Sequence, residues 1–156
     1  MTKRSSRGGD ARVRAFAGFA CTLALSACAS PATSFDGYQG KVAASAQAMT
    51  GIVNTAWLAA DSWQRHRVTS AYADIVVTNA ERDAGSVLTA LDTRQPPDER
   101  SIALKDDADQ PLQDASDALT DLRIALRRDD HDGVSHAMQM LKHELQPLAA
   151  FTQDGG

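Results

Sequence analysis

Cysteine is almost missing from this 156-residue chain: only Cys21 and Cys28 occur, both near the N-terminus. The bulk of the chain therefore has no disulfide framework, and covalent haem attachment, which needs two cysteines and a histidine together, is excluded there. Aromatic residues make up only 5% and runs of isoleucine and valine are scarce, so no strand signal competes with the helix-favouring Ala, Asp and Leu content. No apolar run approaches the ~20 residues needed to cross a bilayer as a helix. Nucleophile and base side chains at a recognisable spacing are lacking, as is a glycine-rich phosphate loop, and both absences argue against an enzyme.

What is present begins with a leader. Lys3, Arg4, Arg7, Arg12 and Arg14 precede an apolar run from Ala15 to Leu25, interrupted only by Gly18 and Thr22. This is the layout of a secretory leader. Val13 separates Arg12 from Arg14, so the twin-arginine signal is missing and export by the general secretory route is expected. The run closes on Leu25, Ser26, Ala27 and Cys28, a tetrapeptide that resembles the lipobox of bacterial lipoproteins. The resemblance implies that the Cys28 thiol is acylated with diacylglycerol and that residues 1–27 are removed as a signal peptide. Lipidated Cys28 then anchors the mature chain to the outer face of the cell membrane. The residue types suit that chemistry: Ser26 and Ala27 leave the backbone accessible, Leu25 seats in lipid, and a thiol is the nucleophile that takes the acyl chain. The competing reading is an ordinary leader cleaved after Ala27 or Ala29, with Cys28 unmodified.

Processing before Cys28 changes the charge balance. The leader carries five of the sixteen basic residues and one of the twenty acidic ones, leaving 129 residues with 11 basic and 19 acidic groups, formally −8. A chain of that size makes one domain. Its acidity opposes binding to nucleic acid and to anionic headgroups.

Residues 28–37, with Pro31, Ser34, Asp36 and Gly37, read as a flexible tether, residues 38–151 as the folded domain and residues 152–156 as a frayed end. Tyr38, Val42, Ser45, Met49, Ile52, Ala56, Ala59 and Trp63 follow steps of three and four and predict a helix from about Tyr38 to His66. The phase continues through Ala73, Val77, Ala80, Ala84, Val87 and Leu91, so one very long helix is formally possible. A break near Arg67 to Ser70 is the better expectation, because Val68, Thr69 and Ser70 are weaker helix formers and Thr69 or Ser70 can cap a new start. The second helix then spans Ser70 to Asp92 and stops before Pro96 and Pro97. Asp98 can cap a third. Pro111 makes its first half either a kinked extension or a separate short helix, while Leu112, Ala115, Leu119, Leu122 and Leu126 mark its second half. After a turn at Asp129 to Gly133, Val134, Met138, Leu141, Leu145 and Leu148 mark a fourth helix that Pro147 is expected to kink or end. The resulting expectation is an all-α, antiparallel up-down-up-down four-helix bundle behind the leader.

Several constellations invite chemistry. His136, Met140 and His143 share one helical stripe with Asp132 and form a conceivable copper set, but each trails a core position by two residues, which turns the stripe to solvent. The turn at Asp130 to Gly133 lacks two carboxylates of a calcium loop, since Arg128 and Gln139 occupy its first and twelfth places. His143 and Glu144 open a zinc-protease motif whose second histidine is replaced by Pro147. None of Glu81, Glu99 or Glu144 has the histidine three residues on that a di-iron bundle requires. Non-covalent haem between Met49 and His143 is awkward, because only Met49 lies on a seam. Asn54, Asp61, His66, Asn79, Asp83 and Arg123 sit in or beside the apolar faces. An ion pair from Asp61 or Asp83 to Arg123 would fix helix register, whereas in the alternative all are solvated flank positions. Trp63 belongs to the core stripe, and Trp57 is expected at a helix boundary or interface.

The segments AYADIVVTNAERDAGSV (71–87) and ASDALTDLRIAL (115–126), with QPPD (95–98) between them, resemble small uncharacterised helical-bundle lipoproteins of high-GC Gram-positive bacteria. That resemblance implies the same fold and carries no activity and no site residue. The expected function is a membrane-anchored, non-enzymatic binding or accessory module of the cell envelope, with a protein partner, no cofactor and no nucleic acid. The alternative is a copper-, iron- or haem-binding envelope protein.

Overall fold

A computed structural model describes residues 33–153. The lipobox residues Leu25, Ser26, Ala27 and Cys28, and the rest of residues 1–32, lie outside the described residues. Four helices follow in order: α1 Phe35–Gln64, α2 Ser70–Asp92, α3 Glu99–Arg127 and α4 His131–Gln153. Among the described residues there is no strand, and no helix is long and apolar enough to cross a membrane.

Each helix begins on the same device. Ser34, Thr69, Asp98 and Asp130 each accept a hydrogen bond from the backbone N–H three residues on, at Gly37, Tyr72, Ser101 and Gly133, over 2.8–3.3 Å. Such caps satisfy N–H groups that the first turn leaves without partners. The Ser34 cap starts α1 at Phe35, three residues inside the segment expected as tether. The Asp130 cap likewise starts α4 three residues before Val134 and shortens the expected turn.

Two helices also end alike. At the end of α1 His66 has φ 55°, its N–H donates to the Trp63 carbonyl at 2.9 Å, and the Arg67 N–H reaches back to the Ser62 carbonyl at 2.8 Å. At the end of α3 Asp129 has φ 55°, its N–H donates to Leu126, and the Asp130 N–H donates to Ala125. Both are Schellman motifs, in which a left-handed residue closes the last turn. His66 thereby lies just beyond α1, where the periodicity placed it inside.

The structure decides between the alternatives at both internal prolines: Pro111 sits within an extension of one helix rather than after a separate short one, and Pro147 does not end its helix. α3 runs unbroken through Pro111, and α4 runs through Pro147 as far as Gln153. Proline inside a helix costs about 3 kcal/mol. Ala108 and Leu112 flank Pro111, and Leu148 follows Pro147, all buried at 1% exposure or less; burial of apolar surface beside each ring offsets the lost backbone bond. The exposed positions of Asp107 and His143 leave the orphaned carbonyls open to water.

One hydrophobic core joins all four helices. α1 packs against each of the others and α3 likewise, while the backbones of α2 and α4 do not come close. The shorter diagonal is thus α1 to α3, where Ala46, Ala56 and Ala60 of α1 and Ala108, Ala115 and Ala118 of α3 are buried. Small side chains permit that closer approach.

Candidate functional site

The exterior of α1 differs from the rest of the molecule. Val42 to Ala60 contains no charged residue, and its exposed positions are Ala44, Gln47, Ala48, Gly51, Asn54, Thr55 and Leu58. An open groove of about 510 Å³ follows this side between α1 and α2, with Gly51, Ile52 and Thr55 on one wall and Val76, Asn79 and Ala80 on the other. Helical spacing extends both walls: Leu58 lies seven residues after Gly51, and Tyr72 seven before Asn79. Among the described residues, Leu58, Tyr72 and Ile75 are three of the five large hydrophobic side chains that stand in solvent, at 61, 55 and 60% exposure. Asp83 also lines the groove. Asp74 at the edge of α2 is tied to Arg127 at 2.9 Å, so the upper part of this face carries no free charge.

The seam between α2 and α3 is built oppositely. Arg123 donates to both oxygens of Glu81, at 2.5 and 3.2 Å, and the Thr120 hydroxyl donates to the same carboxylate at 2.9 Å. The hydrogen bond from Arg123 holds the Glu81 carboxyl below its ordinary value, with Thr120 adding to the effect and burial opposing it. Arg123 therefore does make an interhelical pair, but with Glu81 rather than Asp61 or Asp83. Asp61 bonds Arg65 one turn along its own helix, and Asp83 is exposed. Asn54 and Asn79 are exposed as well.

At the end of the molecule where α1 stops and α4 begins, the Trp63 and His131 rings stack at 4.3 Å, and His66 approaches His131 edge-on at 6.4 Å. Gln64 donates to the His131 carbonyl and to Ser135. These groups border an open depression of about 410 Å³ with Thr69, Ser70 and Asp129. It offers little to a small ligand: Trp63 is only 5% exposed, and its indole N–H is already donated to Ser70. Trp57 packs partly buried against the core in mid-helix, not at a helix boundary.

The stripe of His136, Met140 and His143 is exposed at all three positions. His143 bonds buried Glu144 at 3.0 Å, and no hydroxyl or thiol among the described residues bonds His143 to complete a nucleophile. Met49 is fully buried, so the Met49 and His143 side chains do not face a common space. Among the described residues no three His, Cys, Asp or Glu side chains converge as a metal would require.

Of these places, the α1–α2 face combines exposed apolar side chains with an uncharged α1 wall and a single carboxylate, Asp83, on its α2 wall, a composition close to that of contact surfaces. Periodicity missed it because periodicity reports what turns inward; the signal that would have found it is the charge-free stretch itself. Comparison of the chain with protein-family models, curated proteins and solved structures returned no match to any of them.

Proposed function

We propose that this chain is a lipid-anchored module of the cell envelope that works by binding another protein through the α1–α2 face. Residues 1–27 act as the signal peptide, Cys28 carries the lipid, and the helical domain stands on the outer face of the membrane. The helices run up-down-up-down. Supporting this topology, α1 ends where α4 begins, at the Trp63–His131 stack. Arg94, after α2, reaches the Lys41 carbonyl near the start of α1, and Arg127, ending α3, pairs with Asp74 in the first turns of α2.

The observation that carries the binding reading is the exposed groove face, with an uncharged α1 wall and Asp83 as its one carboxylate, in a domain otherwise coated with carboxylates. A face held in water without a partner gains nothing from Leu58, Tyr72 and Ile75, each of which costs solvation free energy where it stands. Mass spectrometry of the protein isolated from its own membrane tests the anchor: the expected mature N-terminus is diacylglyceryl Cys28, and an unmodified or different N-terminus refutes it. A photoreactive residue at position 55, followed by cross-linking in intact membranes, tests the binding face. The expected product is a discrete adduct to one protein, and no adduct at all refutes the binding role.

A further inference from the structure

We infer that the partner on the α1–α2 face is a second copy of this chain. This rests on the proposal that the face is a binding surface, but not on the lipid anchor. The first argument is charge. The described residues hold 11 basic and 18 acidic groups, so two copies repel one another wherever carboxylates face each other. On the α1–α2 face a like-charged copy meets an uncharged α1 wall and only one groove-lining carboxylate, Asp83. A basic partner would instead be drawn to α3, whose exterior displays Asp106, Asp107, Asp117 and Asp121.

The second argument is Gly51. Glycine inside a helix costs about 1 kcal/mol relative to alanine, and a Cβ at Gly51 would meet nothing within 4 Å. Nothing in the single chain requires the glycine there. It leaves a bare strip of backbone in the groove wall, room into which a facing helix can settle closely. The third argument is size. The uncharged length of α1 spans roughly 27 Å, and two adjacent helices roughly 20 Å, giving about 500 Å² per copy. That suits a reversible two-fold dimer rather than an obligate one. Because the face lies along the sides of α1 and α2 and not at their ends, two copies meeting there can keep their N-termini on one side.

Sedimentation of the full-length chain in detergent over a wide concentration range tests this. The expected result is a monomer–dimer equilibrium that Leu58→Asp and Gly51→Leu each weaken by about tenfold or more. Gly85→Leu, the same substitution at another open helical position, leaves it unchanged. Both glycine variants replace a poor helix former with a good one, so unfolding does not mimic the effect, and circular dichroism verifies the helix content of all three. A chain that stays monomeric throughout, or a dimer indifferent to both Leu58→Asp and Gly51→Leu, overturns the inference. If the position-55 cross-link in membranes then yields a different protein, the binding role stands and only the second copy is lost. If it yields nothing, both fall.

Discussion

α1 and α3 face each other across the core, with 30 and 29 residues, the same kind of N-cap, and in both cases a Schellman turn at the C-terminus. Their inner faces are interchangeable in character. Their outer faces are not: α1 has three charged residues, Asp36, Lys41 and Asp61, whereas α3 has eleven. Core packing cannot explain that contrast, because both helices already bury a full apolar stripe. What differs is the polarity each exterior presents to its surroundings, densely charged for α3 and sparsely charged for α1.

Inner-face equivalence has the largest expected effect. Met49→Ala in α1 and Leu119→Ala in α3, both fully buried, should each cost about 2–5 kcal/mol in urea unfolding. If one of them were nearly neutral, the two stripes would not share one core. The ends come next. His66→Val and Asp129→Val place a β-branched residue at φ 55° and should each cost about 1–2 kcal/mol, whereas His66→Gly and Asp129→Gly should raise the melting temperature slightly. Unequal responses would show that one of the two turns is held by tertiary contacts instead of local geometry.

The seams should separate the two helices again. Glu81→Gln weakens the α2–α3 contact by about 1 kcal/mol; among the described residues no ion pair exists between α1 and α2 to lose. Since the folded Glu81 carboxyl titrates below its unfolded counterpart, the contribution of its charge is complete above the ordinary glutamate value and lost as the pH falls through the folded one. The difference between the parent and Glu81→Gln should therefore shrink on acidification, and a difference that persisted in acid would mean packing, not charge, is responsible. The smallest effect belongs to Tyr38. Its hydroxyl is buried without a hydrogen-bond partner among the described residues, and burial pushes its pKa up. Tyr38→Phe should leave thermal stability unchanged or slightly raised; a clear loss would reveal a partner for the hydroxyl.

The inward stripes were legible because a helical period admits few alternatives: Val42, Met49, Trp63, Leu112, Leu119, Leu122, Val134 and Leu141 are all buried. The boundary of α2 was equally plain, with Thr69 before it and two prolines after. Continuity through Pro111 and Pro147 was left open because a local penalty is visible in the sequence, while the burial that offsets it is assembled from distant residues. The partner of Arg123 was hidden for a related reason. Asp61 and Asp83 lie near seams in sequence, but only the packing of α2 on α3 brings Glu81 forward. A double spacing does encode the answer: Asp74 and Glu81 are two turns apart on one helix, and Arg127 and Arg123 one turn apart on the other, forming two rungs of one ladder.

The Ser34 cap carries a consequence for how far the domain can roam. With α1 already wound from Phe35, the proposed anchor on Cys28 would be separated from the helix by only six residues, 29–34, which can span at most about 20 Å. Under that proposal the domain would explore only a thin layer above the bilayer, and encounters with other anchored molecules would become nearly two-dimensional. Confinement to so thin a layer would raise the effective concentration of weak partners, so a modest patch of low charge would suffice where a freely diffusing protein would need a much larger one.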